Sequence, residues 1–308
     1  MSPHLSVMRN EVIEALKPAV HQTYIDATFG AGGYTRGILE SFDDVRVIAL
    51  DRDPDAIKRS QPLKDQYGDR FSIVQTCFGD MESAVPQGSY DGVVFDLGVS
   101  SPQLDEAERG FSFRQDGPLD MRMSQSGKSA ADLVNKASDT ELADIIWKYG
   151  EERHSRRIAK AICMDRVQKP FQTTQELAEL IRRIVPGKPG DIDPATRTFQ
   201  ALRIAVNDEL GELERGLEAS ENLLQDGGRL VVVSFHSLED RIVKDFFRKR
   251  TGKLPQGSRF APAQTSKLKP TFRQVVSKSI AASAEEIAIN PRARSAKLRW
   301  GVRTREDS

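Results

Sequence analysis

The sequence contains few of the residues that bind metals or form disulfides. Its two cysteines, Cys77 and Cys163, lack CxxC spacing, and its four histidines are scattered along the chain. Structural metal sites need clustered cysteine and histidine ligands, so we expect no metal. Unpaired cysteines are typical of a reducing compartment, and we expect free thiols in a cytoplasmic protein.

Long apolar runs and targeting signals are also missing. No run of about 18 apolar residues occurs, so the sequence predicts no transmembrane helix and no membrane association. The first residues, MSPHLSVMRNEVIEAL, have no basic stretch followed by an apolar one, so we expect no secretory signal. With 308 residues, 38% of them hydrophobic, the chain is long enough for two globular domains.

Positive charge is concentrated near the C-terminus. Between Lys244 and Arg305 there are 16 lysines and arginines and only three acids, although the whole chain has no net charge. Such a segment predicts a surface that binds a polyanion, and its aromatic residues strengthen this interpretation. An ordinary solvated surface is the alternative.

Short β-branched runs alternate with helix-like segments over the first hundred residues. This alternation predicts a mostly parallel sheet of an α/β protein, with strands at 23–28, 45–50, 71–75 and 90–95. A fifth strand is expected at 229–235. The runs 272–280 and 296–303 follow without a full crossover helix between them, so we expect an antiparallel pair at the sheet edge.

The segment between the fourth and fifth strands has a helical pattern. Capping boxes at Ser138 and Thr173 predict two helix starts, and Gly150 is expected to end the first of these helices. Asp193 and the proline after it predict the start of one long helix that runs toward residue 224. A helical block between two parts of one sheet is an inserted domain. The predicted domains are 1–103 with 205–308, and 104–204 as an all-helical insert.

The stretch TYIDATFGAGGYTRG places a glycine cluster directly after the first strand. A P-loop would need GxxxxGK[ST], which the sequence lacks. The dinucleotide fingerprint GxGxxG is matched at Gly30 and Gly32 but fails at Thr35. Asp26, four residues ahead of Gly30, completes a pattern typical of S-adenosylmethionine (SAM) sites and is suited to orient the ammonium group. SAM is therefore favoured, and NAD and a plain tight turn are the alternatives.

Two further acids end predicted strands, at the edge where parallel sheets bind ligands. Asp51 follows the glycines by about 20 residues and is suited to accept hydrogen bonds from both ribose hydroxyls of SAM or NAD. Asp96 ends the fourth strand in YDGVVFDLGVSSPQL, where methyltransferases acting on exocyclic amines carry acceptor groups. A carboxylate there would position the amine for attack on the methyl group. A helix N-cap or a loop-stabilising acid is the alternative.

The stretch DLGVSSPQLDEAERGFSFRQDGPLDMRM resembles the bacterial ribosomal RNA small-subunit methyltransferase H family, also called MraW. Agreement extends in family order through DATFGAGGYTRGIL, YGEERHSRRIAKAI, ATRTFQALRIAVNDEL, SFHSLEDRIVKDF and NPRARSAKLR. The resemblance implies a Rossmann-like class I SAM methyltransferase with an inserted helical domain that recognises the substrate. It implies transfer of the methyl group of SAM to N4 of a cytidine in the decoding region of small-subunit (16S) rRNA. The partner would be this rRNA or the small ribosomal subunit.

Roles for single residues also follow from the resemblance. Asp51 would hold the ribose, and Phe78 would lie along the adenine. Asp80 departs from the family, since some relatives carry a small residue there, and is expected only as an acceptor on the adenine side. Tyr34 replaces a histidine common in relatives, so only a backbone contact is expected of it. The residues expected around SAM are Gly30, Gly32, Gly33, Tyr34, Asp51, Phe78, Asp96 and Gln103.

Asp96 and His236 are the catalytic candidates. His236, in SFHSLEDR just past the fifth strand, would contact the target base or a phosphate, and a purely structural histidine is the alternative. The arginines and lysines expected to contact rRNA are Arg292, Arg294, Lys297 and Arg299, although a strand would alternate their faces. A basic stripe in the insert, formed by Arg153, Arg156, Arg157 and Lys160, is either a second RNA contact or a solvated helix face.

Rival functions are an NAD-dependent oxidoreductase and a SAM-binding assembly factor without catalysis. The target cytidine is expected to be flipped out or already single-stranded. The sequence does not distinguish a monomer from a homodimer, nor naked rRNA from an assembled subunit as the substrate.

Overall fold

The structure is a computed structural model that describes residues 6–187, 190, 192–252, 269–273 and 278–305. The chain folds into two compact units. Unit 1 comprises Met1–Gly98 and Leu210–Ser308, and unit 2 comprises Val99–Glu209. Among the described residues, no helix is both long and apolar enough to cross a bilayer.

Unit 1 contains one mixed β-sheet. Its described strands are β1 Thr23–Asp26, β2 Arg46–Asp51, β3 Phe71–Gln75, β4 Tyr90–Asp96, β5 Leu224–Ser234, β6 Phe272–Arg273, β7 Ile280–Ala281 and β8 Lys297–Arg303. The strand order is β3-β2-β1-β4-β5-β8-β6, with β7 also paired to β8. Strands β1 to β5 are parallel, and β8 is antiparallel to β5, β6 and β7. The predicted α/β class, with a mostly parallel sheet and antiparallel pairing at one edge, is confirmed.

The described helices lie on both sides of this sheet and in unit 2. In chain order they are α1 Arg9–Leu16, α2 Gly33–Leu39, α3 Pro54–Arg59, α4 Gln61–Tyr67, α5 Met81–Ala84, α6 Ser101–Asp105, α7 Ala130–Lys136, α8 Asp139–Gly150, α9 Ser155–Gln168, α10 Thr174–Ile184, α11 Ala195–Asn207, α12 Glu209–Leu223, α13 Ser237–Arg250 and α14 Ala284–Ile289. Of these, α6 to α11 belong to unit 2.

The sheet is buried on both faces, as a parallel sheet requires. Successive side chains of a strand point to opposite faces, so Val94 packs into one core with residues of α1 and α2. Its neighbours Val93 and Phe95 pack into the other core with residues of α12 and α13. Unit 2 has a separate core, in which Leu142, Ile146, Ile158 and other apolar residues of α7 to α11 are buried. Both units therefore bury an apolar core of their own.

The prediction of one long helix from Ala195 toward residue 224 is wrong. Asp208 adopts a left-handed conformation with φ 49°, and the chain forms two helices, α11 and α12. Side chains on both sides of the break fix it: Arg203 pairs with Glu209 at 2.8 and 2.9 Å. Asn207 donates to the Met121 carbonyl and accepts from the Met123 amide. The contacts of Asn207 with residues more than 80 positions earlier in the chain outweigh the helical preference of the local sequence.

The expected end of α8 at Gly150 is displaced by one residue. Gly150 is the last helical residue, and Glu151 adopts the left-handed conformation with φ 50°. A Cβ on Gly150 would lie 2.5 Å from the carbonyl oxygen of Arg197. The glycine is thus required by close packing of α8 against α11, whereas the predicted helix starts at Ser138 and Thr173 are confirmed.

Candidate active site

The carboxyl ends of β1, β2 and β4 form the edge of unit 1 where predicted site residues converge. The chain runs from β1 outward to β2 and β3, and then returns to β4 on the other side of β1. Such a reversal of strand order opens a crevice at the carboxyl ends of the two central strands, where α/β proteins bind ligands. The loops after β1 and β4 flank this crevice.

The loop after β1 is built for close backbone approach. Gly30 and Gly32 have φ of 54° and 78°, a region that glycine adopts without a steric penalty. Helix α2 begins directly at Gly33, where a Cβ would lie 1.5 Å from the Ser6 hydroxyl oxygen. The loop therefore has no room for side chains at its turn.

Asp26 holds this loop in place through hydrogen bonds. One carboxylate oxygen accepts hydrogen bonds from the amide of Thr35 at 3.2 Å and its hydroxyl at 2.6 Å, and the other accepts from the Thr28 amide at 3.2 Å. The residue is buried, and burial raises the pKa of its carboxyl. Thr35, which breaks the dinucleotide fingerprint, is thus the residue that satisfies Asp26. The sequence pattern suits an ammonium ligand, whereas in the structure the hydrogen bonds of Asp26 go to its own loop.

Asp51 connects the end of β2 to the same loop. Its carboxylate accepts from the Gly30 amide and from the Asp53 amide, each at 2.8 Å. Burial raises the pKa of Asp51 to about 6. Each of its two oxygens accepts one of these bonds, and a carboxylate oxygen has a second lone pair. This geometry is compatible with the expected pair of ribose hydroxyls.

Phe78 lies in a short 3-10 turn, Phe78–Asp80, after β3. Its half-buried ring meets the Phe95 ring edge-on, with centroids 5.4 Å apart and an interplanar angle of 88°. The Asp80 side chain next to it is exposed. An aromatic ring fixed in this way can stack with a flat base.

Asp96 ends β4 with an unsatisfied carboxyl oxygen. Its amide donates to the Thr28 hydroxyl at 2.6 Å, while its buried Oδ1 has no hydrogen-bond partner among the described residues. Burial, together with the nearby carboxylates of Asp26 and Glu239, raises the pKa of Asp96 to about 8 against the opposing effect of the Tyr34 hydroxyl. A carboxyl group with this pKa exchanges protons near neutral pH, as general acid–base catalysis requires.

The Tyr34 side chain, for which the sequence predicted no role, lies next to Asp96. Its ring is buried, and its hydroxyl donates to the Val7 carbonyl next to the Asp96 carboxyl. Burial raises the pKa of the Tyr34 phenol well above its usual value. The Met8 amide, one residue further, donates to Glu286 at 2.7 Å. The sequence missed this side-chain role, because nothing in the loop pattern indicates where a residue of α2 points.

His236 caps α13. Glu239 accepts from the amides of Phe235 and His236 at 2.8 and 3.3 Å, and its other oxygen lies 3.0 Å from His236 Nε2. The Glu239 amide in turn donates to His236 Nδ1 at 3.5 Å, which completes a capping box. The geometry gives His236 a structural task, and its contact with a target base stays a prediction.

The remaining predicted residues lie on other elements. Gln103, in unit 2, accepts from the Ser100 amide at 3.0 Å and completes the capping box of α6. Arg292 and Arg294 lie in a 3-10 turn, Pro291–Ser295, ahead of the strand predicted at 296–303. Lys297 and Arg299 share one face of β8, where both pair with Asp240 of α13.

The distances to Asp240 separate these two basic residues. Arg299 Nε lies 2.7 Å from Asp240, and Lys297 Nζ lies 3.2 Å from it. The Arg299 side chain is only 9% exposed, against 47% for Lys297. Arg299 is therefore mainly a structural ion-pair partner, whereas Lys297 keeps an accessible ammonium group. Binding of rRNA by either residue stays a prediction.

A doubly wound sheet with a glycine loop after β1 and acids at the ends of β2 and β4 is the arrangement of a nucleotide- or SAM-binding α/β protein. The chain belongs to the MraW methylase family, whose model matches residues 1–304. SAM is accordingly its methyl donor.

Named relatives match nearly the full length of the chain. It is 56% identical over 304 residues to ribosomal RNA small subunit methyltransferase H of Methylocella silvestris, covering 98% of this chain and 88% of the relative. The identity is 55% over 306 residues with the protein of the same name from Paramagnetospirillum magneticum, covering 98% and 96%. A solved rRNA methylase from Streptococcus thermophilus is 10% identical, with a TM-score of 0.43 and coverage of 99% and 100%.

Proposed function

We propose that this protein transfers the methyl group of SAM to N4 of a cytidine in the decoding region of 16S rRNA. The methyltransferase H relatives, at 55% and 56% identity over nearly the whole chain, support an rRNA substrate in the small subunit. The structural observation that carries the N4 assignment is the buried, unsatisfied Oδ1 of Asp96 at the end of β4. An acceptor at this point fits an exocyclic amine.

The residues around the crevice fit SAM. The backbone of Gly30, Gly32 and Gly33 would receive its amino-acid part, Asp51 its ribose and Phe78 its adenine. When bound, SAM supplies an electrophilic methyl group on a sulfonium. Every other requirement falls on the protein, which must hold the acceptor amine and exclude water.

Asp96 would act on the acceptor amine. The lone pair of a cytosine amine is delocalised into the ring, so the amine is a poor nucleophile. A carboxylate that accepts a hydrogen bond from one N–H group of the amine favours its pyramidal form and holds the nitrogen in line with the methyl group. After transfer the nitrogen carries an extra proton, and Asp96 takes it up. Tyr34 and Thr28, which contact Asp96, would keep its orientation.

Basic residues would bind the rRNA backbone. The candidates in unit 1 are Arg292, Arg294, Lys297 and Arg299, and part of the basic C-terminal segment lies outside the described residues. In unit 2, the side chains of the predicted stripe on and before α9 are exposed: Arg153, Arg156, Arg157 and Lys160. The helical insert predicted at 104–204 would thus recognise the substrate, with the cytidine flipped out of its stack.

Nucleoside mapping tests the proposal. Small-subunit rRNA from a strain without the gene would be digested and compared by mass spectrometry with rRNA from the parent strain. We expect one N4-methylated cytidine to be lost, and to return with the wild-type gene but not with Asp96→Ala. An unchanged nucleoside map would contradict the proposed substrate, and loss of a methyl group at another atom would contradict the N4 assignment.

A binding experiment tests the competing functions. Purified protein would be titrated with SAM and with NADH, and we expect binding of SAM only. Labelled methyl transfer to small subunits from the deletion strain would then separate an enzyme from a non-catalytic assembly factor. No incorporation at saturating SAM would favour the assembly factor.

A further inference from the structure

Helix α12 holds the segment that carries Phe78. Glu212 on this helix accepts a hydrogen bond from the Gly79 amide at 2.9 Å. Further along α12, the Ser220 hydroxyl lies 4.0 Å from the Met81 sulfur, and Asn222 donates to Glu82 at 3.1 Å. Contacts along the length of α12 therefore fix the chain from residue 79 to residue 82.

Glu212 is a buried carboxylate that holds the Gly79 amide. Its side chain is only 10% exposed, and its other oxygen accepts from Arg215 at 2.7 Å. A buried charged side chain is costly unless it is well paired. The Gly79 amide belongs to the residue directly after Phe78, so Glu212 determines where the Phe78 backbone lies.

Gly216, one turn after Glu212, provides the space for the Phe78 ring. A Cβ at this position would lie 2.8 Å from Phe78 Cδ2 and 3.1 Å from Phe95 Cε1. Glycine weakens a helix interior relative to alanine, so α12 tolerates it at a cost in stability. The ring thus packs directly onto the helix backbone, with the Phe95 ring against it.

We infer that Glu212 and Gly216 are positioning residues for the adenine end of the SAM site. Glu212 sets the backbone next to Phe78, and Gly216 sets the depth of its ring. The inference rests on the proposed role of Phe78 as the adenine wall. It adds two residues of a helix that carries none of the predicted SAM contacts.

Variants of Glu212 test the hydrogen bond. Glu212→Gln keeps an acceptor for the Gly79 amide, and we expect its Kd for SAM to stay within about threefold of wild type. Glu212→Ala removes the acceptor, and we expect the Kd for SAM and for S-adenosylhomocysteine to rise about tenfold. Arg215→Met removes the ion pair with Glu212 and keeps the acceptor for the Gly79 amide, so it should resemble Glu212→Gln. Glu218→Ala, an exposed position on the same helix, serves as the matched control.

A double-mutant cycle tests Gly216. Alanine strengthens an isolated helix, so Gly216→Ala would leave α12 intact while displacing the Phe78 ring. We expect its Kd for SAM to rise at least fivefold, with KM for SAM raised and kcat nearly unchanged. In the Phe78→Ala background the same substitution should have a much smaller effect, because the ring that it displaces is gone and only the contact with Phe95 remains.

The outcomes separate this inference from the proposed function. If wild-type protein binds no SAM in calorimetry, the proposed function fails. If wild type binds SAM and Gly216→Ala binds it equally well, the inference alone fails. Additive effects of Gly216→Ala and Phe78→Ala would also overturn it. Thermal unfolding of each variant identifies those that are misfolded; should Glu212→Ala be among them, the Gly216 cycle decides.

Discussion

The hydroxyl of Thr35 donates a 2.6 Å hydrogen bond to the buried carboxylate of Asp26. Thr35 occupies the position at which a dinucleotide-binding loop has its third glycine. The residue that breaks the dinucleotide fingerprint is thus needed in this loop, because its side chain, on α2, donates a hydrogen bond to the acid at the end of β1.

This bond predicts different effects for two substitutions of Thr35. Thr35→Val keeps the shape but removes the donor, and we expect a loss of about 1–3 kcal/mol in the free energy of unfolding. Thr35→Ser keeps the donor and should lose less than half as much. Urea denaturation measures both. A greater loss in Thr35→Ser than in Thr35→Val would show that the methyl group, and not the hydrogen bond, stabilises the loop.

Methyl transfer should depend on the protonation of Asp96. The pKa of Asp96 is raised to about 8, so the carboxylate that accepts the amine N–H is scarce at pH 6. We expect the single-turnover rate to rise with pH and level off above pH 8. Asp96→Asn should lower the rate by roughly 10²–10⁴-fold and remove the pH dependence, while rRNA binding stays unchanged. A parallel loss of rRNA binding would instead give Asp96 a structural role.

The same residue should make the folded protein less stable as pH rises. The pKa of Asp96 is about 8 in the folded chain against 3.8 for an ordinary aspartate. Between these values the folded state holds the proton more often than the unfolded state, so stability falls with increasing pH. Asp96→Asn removes this loss. We expect it to unfold at a higher temperature than wild type, by a margin that grows from pH 5 to pH 8.

Binding of SAM should weaken in acid because of Asp51. Burial raises the pKa of this carboxyl to about 6, and only its ionised form accepts hydrogen bonds from both ribose hydroxyls. We expect the Kd for SAM to be constant above pH 7 and to increase as the pH falls below 6. Asp51→Asn should bind SAM weakly at every pH. Calorimetry between pH 5 and pH 8 gives the comparison, and a constant wild-type Kd would exclude this role.

Two arginines near the C-terminus should respond differently to substitution. Arg299→Ala leaves Asp240 with Lys297 alone in a largely buried site, and we expect a loss of about 3 kcal/mol in stability. Arg294 is exposed, and Arg294→Ala should leave stability unchanged. It should lower rRNA affinity and reduce the slope of log K against log salt by about one. An unchanged slope would remove Arg294 from the rRNA contacts.

Strands and strand-end acids could be predicted from the sequence because they depend on local patterns. The β-branched run at 71–75 is strand β3 without any change of bounds, and Asp51 and Asp96 end their strands as expected. The break at Asp208 could not be predicted, since no proline or glycine marks it. It depends on contacts that Asn207 makes with Met121 and Met123, more than 80 residues away.

The candidate site shows the same division. Glycines and acids with fixed spacing indicated the cofactor. The supports of the site, among them Thr28 under Asp96 and Glu212 behind Phe78, come from segments that only the folded chain brings together. Gly216 offered a weak signal, because a glycine inside the helical stretch ELERGLEAS needs a packing reason.

The position of β8 in the sheet has a consequence for biosynthesis. This strand is the last of the described strands along the chain, yet it lies between β5 and β6 and not at an edge. Until residues 297–303 have left the ribosome, β5 has an unpaired side and the sheet of unit 1 is open. The sheet of unit 1 therefore cannot be completed during synthesis while any of these residues is still inside the exit tunnel. The sheet of an enzyme proposed to modify the small ribosomal subunit is thus complete only after a ribosome has released strand β8.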